Sequence, residues 1–218
     1  MTPRFAQAVD PIFLHILGLL DRISRDEQPS PQDERMRIRA LIDQAEAIVG
    51  AGTEWELAKY ALASWIDEVL LDTPWAGHDW WSNNVLEVEL FNTRLCNEQF
   101  YVRAQQASSL PNRDSLEVFY VCVVLGFRGL YRDANLAQML TQSHNLPPDL
   151  DGWAKQTSMA IRLGQGRPPL AAPAGNIRGA APIRSRPILV WSLVTCALLA
   201  ASTFLYWWLV FPGFSISS

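Results

Sequence analysis

Apolar side chains recur at three- and four-residue intervals through most of residues 1–163, the period of helices with one face turned inward. Phe5, Ile12, Phe13, Ile16, Leu17, Leu20 and Ile23 mark the first such segment, in which Pro11 either opens the helix after Asp10 or kinks it. Ser30-Pro31-Gln32-Asp33 reads as an N-cap, a proline at N1 and an acid at N3. Behind it Met36, Leu41, Ile42, Ala45, Ile48 and Val49 keep helical spacing as far as Gly50. Thr53 or Glu54 opens a third helix, with Trp55, Ala58, Leu62, Trp65 and Val69 on one face and a stop at Thr73-Pro74. Further helices are expected over Asn83–Leu95, Glu98–Gln106, Asp114–Leu125, Ala134–Gln142 and Asp149–Leu163. The run Val118–Leu125 is the one stretch that could be a strand, and the Asp114 cap together with its length favours helix. The pattern predicts an all-α bundle of seven or eight helices over residues 1–163.

The pattern changes at the C-terminal end. Ile188–Phe211 (ILVWSLVTCALLAASTFLYWWLVF) runs for 24 residues without a charge, proline or glycine. As a helix it would extend about 36 Å, enough to cross a hydrocarbon core of roughly 30 Å with some tilt. Trp191 near one end, and Tyr206, Trp207 and Trp208 near the other, stand where interfacial aromatic belts would be. Ser192, Thr195, Ser202 and Thr203 are tolerable there if they bond back to their own helix carbonyls. Residues 164–187 (GQGRPPLAAPAGNIRGAAPIRSRP) are rich in proline and glycine and hold no aromatic residue, so they read as a semi-extended basic tether. Arg178, Arg184 and Arg186 precede the span and no base follows it. The positive-inside rule therefore puts residues 1–187 in the cytoplasm and the short tail 212–218 on the far side, as in a single-pass, tail-anchored membrane protein.

Charge sharpens this division. All 22 acids and 12 of the bases lie between Met1 and Ala154, a net of −10; Lys155–Pro187 holds six bases and no acid. An acidic main domain excludes nucleic acid as the expected partner, whereas the basic stretch beside the span suits anionic membrane lipid. Cys96, Cys122 and Cys196 have no metal-ligand spacing, and an odd number of thiols fits a reducing compartment. Asp10 interrupts the N-terminal apolar run and no small-residue cleavage site follows, so no signal peptide is expected.

No phosphate-binding loop, nucleophile elbow, zinc-protease or dinucleotide motif occurs, and His15, His78 and His144 are far apart in sequence. His15, within the apolar face of the first helix, is expected to be a buried, hydrogen-bonded histidine. One cluster merits weighing: Asp67, Glu68, Asp72, Trp75, His78, Asp79, Trp80 and Trp81, in WIDEVLLDTPWAGHDWW. Its acids and histidine could hold a divalent metal. Alternatively, the tryptophans are core while the acids cap helix starts or face solvent. In a third reading, aromatic anchors beside charges form a protein-docking surface.

Residues 57–132 resemble the DotU/TssL (IcmH) family of inner-membrane components of bacterial type VI and type IVB secretion systems. The matching features are YALASWIDEVLLDTPW (Tyr60–Trp75) with its Asp67-Glu68 pair followed by Thr73-Pro74-Trp75, the Trp81 region, Leu90–Asn92, Glu98-Gln99-Phe100, and LEVFYVCVVLGFRGLYR (Leu116–Arg132). The last carries Gly126-Phe127-x-Gly129-x-Tyr131. Both glycines can take positive φ there, ending a helix and folding Phe127 and Tyr131 back onto the bundle. The resemblance implies a hook-like cytoplasmic domain of two packed three-helix bundles with a cleft between them, no enzymatic activity and no cofactor. It implies partners as well: an IcmF/TssM-like inner-membrane protein, a TssK-like baseplate protein and a second copy in a homodimer. By motif, Asp67 and Glu68 would lie near the cleft and contact partners. Many relatives carry Gly-Gly before Glu-x-Phe where this chain has Cys96-Asn97, so that loop is expected to differ in shape. Two other readings stay open: a tail-anchored adaptor of another pathway, and a membrane-tethered metal-dependent hydrolase built on Asp67, Glu68, Asp72, His78 and Asp79.

Overall fold

The computed structural model describes residues 1–164 and 185–210, without the side chains of 135, 136, 164, 185–191 and 208–210. Outside it lie most of the expected tether with Arg178 and Arg184, the side chains of Arg186, Trp191 and Trp208, residue 211 and the tail 212–218. The described residues are helical, with no strand among them, in the order α1 (Pro3–Ser24), α2 (Pro31–Val49), α3 (Thr53–Asp72), α4 (His78–Asn83), α5 (Leu86–Phe91), α6 (Cys96–Ser108), α7 (Asp114–Val124), a 3-10 turn (Gly129–Arg132), α8 (Ala134–His144), α9 (Leu150–Gly164) and α10 (Ser185–Val210). Val118–Leu125 is helical as far as Val124.

Two compact units divide the chain, residues 1–168 and 169–218. In the second, α10 presents residues 192–207 exposed. Thr195, Ser202 and Thr203 turn their hydroxyls back to helix carbonyls at 2.8–3.0 Å, as expected for polar residues in an apolar helix. Among the described residues no helix is long and apolar enough to cross a membrane; both ends of the run 188–211 fall where side chains are not described.

The first unit is organised around α3, which packs against α2, α4, α5, α6 and α7. A helix apolar on nearly all sides belongs in the middle of a domain, and α3 is buried from Tyr60 through Glu68. Ala58, Ala61 and Ala63 leave room for its neighbours, while Trp55 and Trp65 reach outward to rings on α1: Phe5 at 6.4 Å and Phe13 at 5.1 Å between centroids. A second aromatic cluster ties α6, α7 and α9 together. In it Phe100 stacks on Phe127 at 3.9 Å and meets Phe119 edge-on at 4.8 Å, and Trp153 lies edge-on to Tyr101 at 5.2 Å.

Local signals explain most boundaries. Ser30 caps α2 by accepting the Asp33 N–H, with Pro31 at N1. Thr73 closes α3. Two expectations are corrected, and of the two alternatives for Pro11 the interior position holds. The first helix begins at Pro3 and carries Pro11 in its interior, on the exposed side, so Pro11 is not its start. The helix expected over 83–95 is shorter, Leu86–Phe91, because Asn92 takes a left-handed conformation at φ 55°; a separate short helix, α4, precedes it. Asp114 stands inside the first turn of α7 and spends its carboxylate on Thr2, accepting from the backbone N–H at 2.6 Å and from the hydroxyl at 2.5 Å.

His15 is partly buried rather than enclosed, with its Nε2 at 2.9 Å from Glu34. Glu34 itself is buried and also holds Arg22 at 2.7 Å and Arg37 at 3.3 Å, locking α1 to α2.

The chain after α7 follows the glycine logic of the sequence. Gly126 has φ 109°, its N–H donating to the Val123 carbonyl, while the Phe127 N–H reaches the Cys122 carbonyl. This pair of bonds is a Schellman ending, which satisfies two helix carbonyls and turns Phe127 into the core. An L side chain at that φ is strained, so Gly126→Ala should lower unfolding free energy by about 1–2 kcal/mol. Urea unfolding of residues 1–168 would read the change.

Candidate functional site

Helix N-termini leave N–H groups unpaired, and inside a domain those groups need acceptors. Here the acceptors are carboxylates from other elements. Asp67, on the buried side of α3, points at the start of α5: its Oδ1 accepts from the Leu86 N–H at 2.8 Å and from Trp81 Nε1 at 3.0 Å, and its Oδ2 from the Glu87 N–H at 2.8 Å. Glu68, the next residue, faces the segment after α7 and accepts from the N–H groups of Arg128 at 2.7 Å and Gly129 at 3.0 Å. Gly129 has φ 50°, and a Cβ there would meet the Phe127 ring at 2.8 Å and the Asn97 carbonyl at 2.9 Å. Glu87, delivered by α5, repeats the device at α6, accepting from the Leu95 N–H at 2.9 Å and the Cys96 N–H at 3.1 Å. It also takes the Tyr60 hydroxyl at 2.7 Å and the Thr93 hydroxyl at 2.8 Å.

These three carboxylates border one cavity of about 410 Å³, whose other walls include Leu71, Asp72, Val85, Arg94, Cys96 and Arg132. Arg132 crosses one side of it, forking onto both oxygens of Asp72 and touching Glu68 at 3.1 Å. Hydrogen bonding to Asp72 holds the Arg132 guanidinium well above its ordinary value. Burial, then the nearby Glu87 carboxylate, pushes the Cys96 thiol up to about 12, so it is no reactive thiolate at neutral pH. Cys96 and Asn97 open α6 at the position where the loop was expected to differ.

The tryptophan-rich cluster therefore divides in two. Asp67, Glu68 and Trp81 are buried, and Trp81 is covered by the Arg35 guanidinium at 5.1 Å from its ring. Asp72 and Asp79 are exposed, and Trp75, His78 and Trp80 are partly exposed. Trp75 donates to the Leu70 carbonyl at 3.0 Å and lies over Gly77, where any Cβ would collide with its ring. His78 Nδ1 stands 3.1 Å from the Asp79 carboxylate. Residues 72–79 border a shallow open depression beside this loop. Among the described residues no three His, Cys, Asp or Glu side chains converge as metal ligands. Tyr131 is partly buried and its hydroxyl donates to the Pro147 carbonyl at 2.7 Å, holding the 3-10 turn against the segment before α9. Glu87, Arg94 and Arg132 were not singled out in the sequence. An acid within the short apolar helix LEVELF was the only signal for Glu87.

A family model described as type VI secretion system protein DotU matches residues 4–211. The chain belongs to the DotU family. Its fold is similar to a solved structure titled "Cytoplasmic domain of TssL from Acinetobacter baumannii", at 23% identity and a TM-score of 0.57, covering 73% of this chain and 98% of that one. A TssL structure from enteroaggregative Escherichia coli 042, also titled SciP, is similar at 22% identity and a TM-score of 0.48, over 67% of this chain and 89% of that one. No curated protein matches the chain. As a member of the DotU family it shares an all-helical architecture, and its Asp67-Glu68 pair is spent on backbone N–H groups within that architecture.

Removing Asp67 strands three donors. Asp67→Ala is expected to cost about 3 kcal/mol in urea unfolding of residues 1–168. Burial pushes Asp67 up to about 6 despite the pull of its N–H donors, from an ordinary 3.8. The folded chain then binds this proton more firmly than the unfolded chain. Its contribution to stability is complete below about pH 3.8 and is lost as pH rises through about 6. Unfolding measured from pH 4 to 7 should show that falling component, and Asp67→Asn should remove it.

Proposed function

We propose that this DotU-family chain is a non-enzymatic structural subunit of the inner-membrane complex of a type VI secretion system, anchored by residues 188–211 and linking that complex to the cytoplasmic baseplate. The observation that carries the reading is the family match over residues 4–211, which reaches through the C-terminal apolar run as well as the helical domain. That run is uncharged for 24 residues and is preceded by Arg178, Arg184 and Arg186. A helix of this length spans a bilayer with its basic end inside, placing residues 1–187 in the cytoplasm and 212–218 in the periplasm. Trp191, Tyr206, Trp207 and Trp208 would then lie at the two interfaces. The solved relative being a cytoplasmic domain supports the same placement of residues 1–164.

The partners in this reading are an IcmF/TssM-like inner-membrane protein, a TssK-like baseplate protein and a second copy of the chain. Within the tryptophan-rich cluster, the surface offered to a partner is the exposed part, Asp72, Trp75, His78, Asp79 and Trp80 beside the cavity. Asp67, Glu68 and Trp81 hold that surface in place from beneath. A partly exposed indole next to an exposed acid, on a short helix and the loop before it that are held by bonds to Leu70 and Asp67, is the composition of an interaction hot spot with little ordering cost.

The full-length chain purified from native membranes should bring down an IcmF-like protein or a baseplate component, and recovery of neither would overturn the reading. Asp79→Arg should weaken that recovery about tenfold or more, while leaving thermal melting of residues 1–168 unchanged. Membrane anchorage is read separately: alkaline carbonate should leave the full chain in the pellet and release a chain ending at residue 187.

A further inference from the structure

α9 buries Trp153, Thr157 and Ile161 on one side. Its opposite side carries Lys155, Met159, Arg162 and Leu163, which at 100° per residue fall within about a quarter of the helix circumference. All four are exposed, Met159 at 61% and Leu163 at 82%. Neither base is ion-paired among the described residues, in contrast to Arg22, Arg35, Arg39 and Arg132 elsewhere in the domain. The helix has a single acid, Asp151, in its first turn. Two unpaired bases flanking two protruding apolar side chains make a small amphipathic surface of the kind that lies in a headgroup layer, apolar tips inserted and bases against phosphates.

We propose that this outer face of α9 is a docking surface for an anionic lipid bilayer. Charge complementarity selects that occupant. Lys155 begins the part of the chain, through Pro187, that has six bases and no acid, whereas the remainder of the domain is acidic. Asp151, one turn before Lys155 on the same side of the helix, offsets part of this charge, while acids farther than about 8 Å are screened at physiological ionic strength. Connectivity favours the same partner: α9 is the last helix of the domain before the proposed span. The inference shares the membrane location of the reading above, but its test does not use the span.

Residues 1–168, a compact unit with its own core, would be mixed with vesicles of phosphatidylcholine alone or of equal parts phosphatidylcholine and phosphatidylglycerol, and bound protein measured by flotation. The wild-type domain is expected to float with the anionic vesicles, in a salt-sensitive manner, and to stay behind with the neutral ones. Lys155→Glu with Arg162→Glu should reduce binding by about tenfold or more, and Met159→Ser with Leu163→Ser should also reduce it, both variants keeping the wild-type melting temperature. Absence of wild-type binding to anionic vesicles, equal binding to neutral vesicles, or unchanged binding after charge reversal would each overturn the proposal. None of these results bears on whether the full chain resists carbonate extraction, so failure here and failure of the span remain distinguishable.

Discussion

Backbone N–H groups at the start of a helix must find acceptors, and in this domain several helices start where water is scarce. Asp67, Glu68 and Glu87 supply those acceptors from a distance in sequence, each bridging two elements rather than capping its own helix. The arrangement has an electrostatic logic. A carboxylate beside the positive end of a helix gains from the aligned peptide dipoles as well as from the individual bonds. Burial works against it, which is why Asp67 is pushed up to about 6. The balance holds only with every donor in place, and that requirement fixes where α5, α6 and the 3-10 turn sit around α3.

The helical period made most elements legible in the sequence, since α2, α3 and α7 to α9 each bury one consistent set of residues. Where a helix came out shorter than its period implied, a local feature had overruled it: Asn92 turned left-handed and ended α5. The glycines at 126 and 129 were readable because positive φ has few other carriers. The destination of a carboxylate was less readable: Asp67-Glu68 appears as a charged pair whether its oxygens meet water, a partner or backbone amides 20 and 60 residues away. Only the three-dimensional packing of α3 against the loops decides among these.

Under the proposed reading as a structural subunit, this division of labour would be useful. The buried acids do the holding, so the charges and indoles left on the surface, Asp72, Trp75, Asp79 and Trp80, are presented by the end of α3, the connection after it and α4. A partner docking there, as proposed, would meet a preformed shape and give up little of its binding free energy to ordering. The cavity beneath is bounded on one side by an ion pair, Arg132 with Asp72.

The carboxylates are also linked in series. Asp67 seats α5, and α5 carries the Glu87 that seats α6. Opening the first junction therefore unmoors the second, so the segment from about the end of α4 to the first turn of α6 is coupled rather than two independent loops. The dependence runs one way: an opening that frees the Leu86 and Glu87 amides also frees those of Leu95 and Cys96, whereas the second pair can open with the first still held.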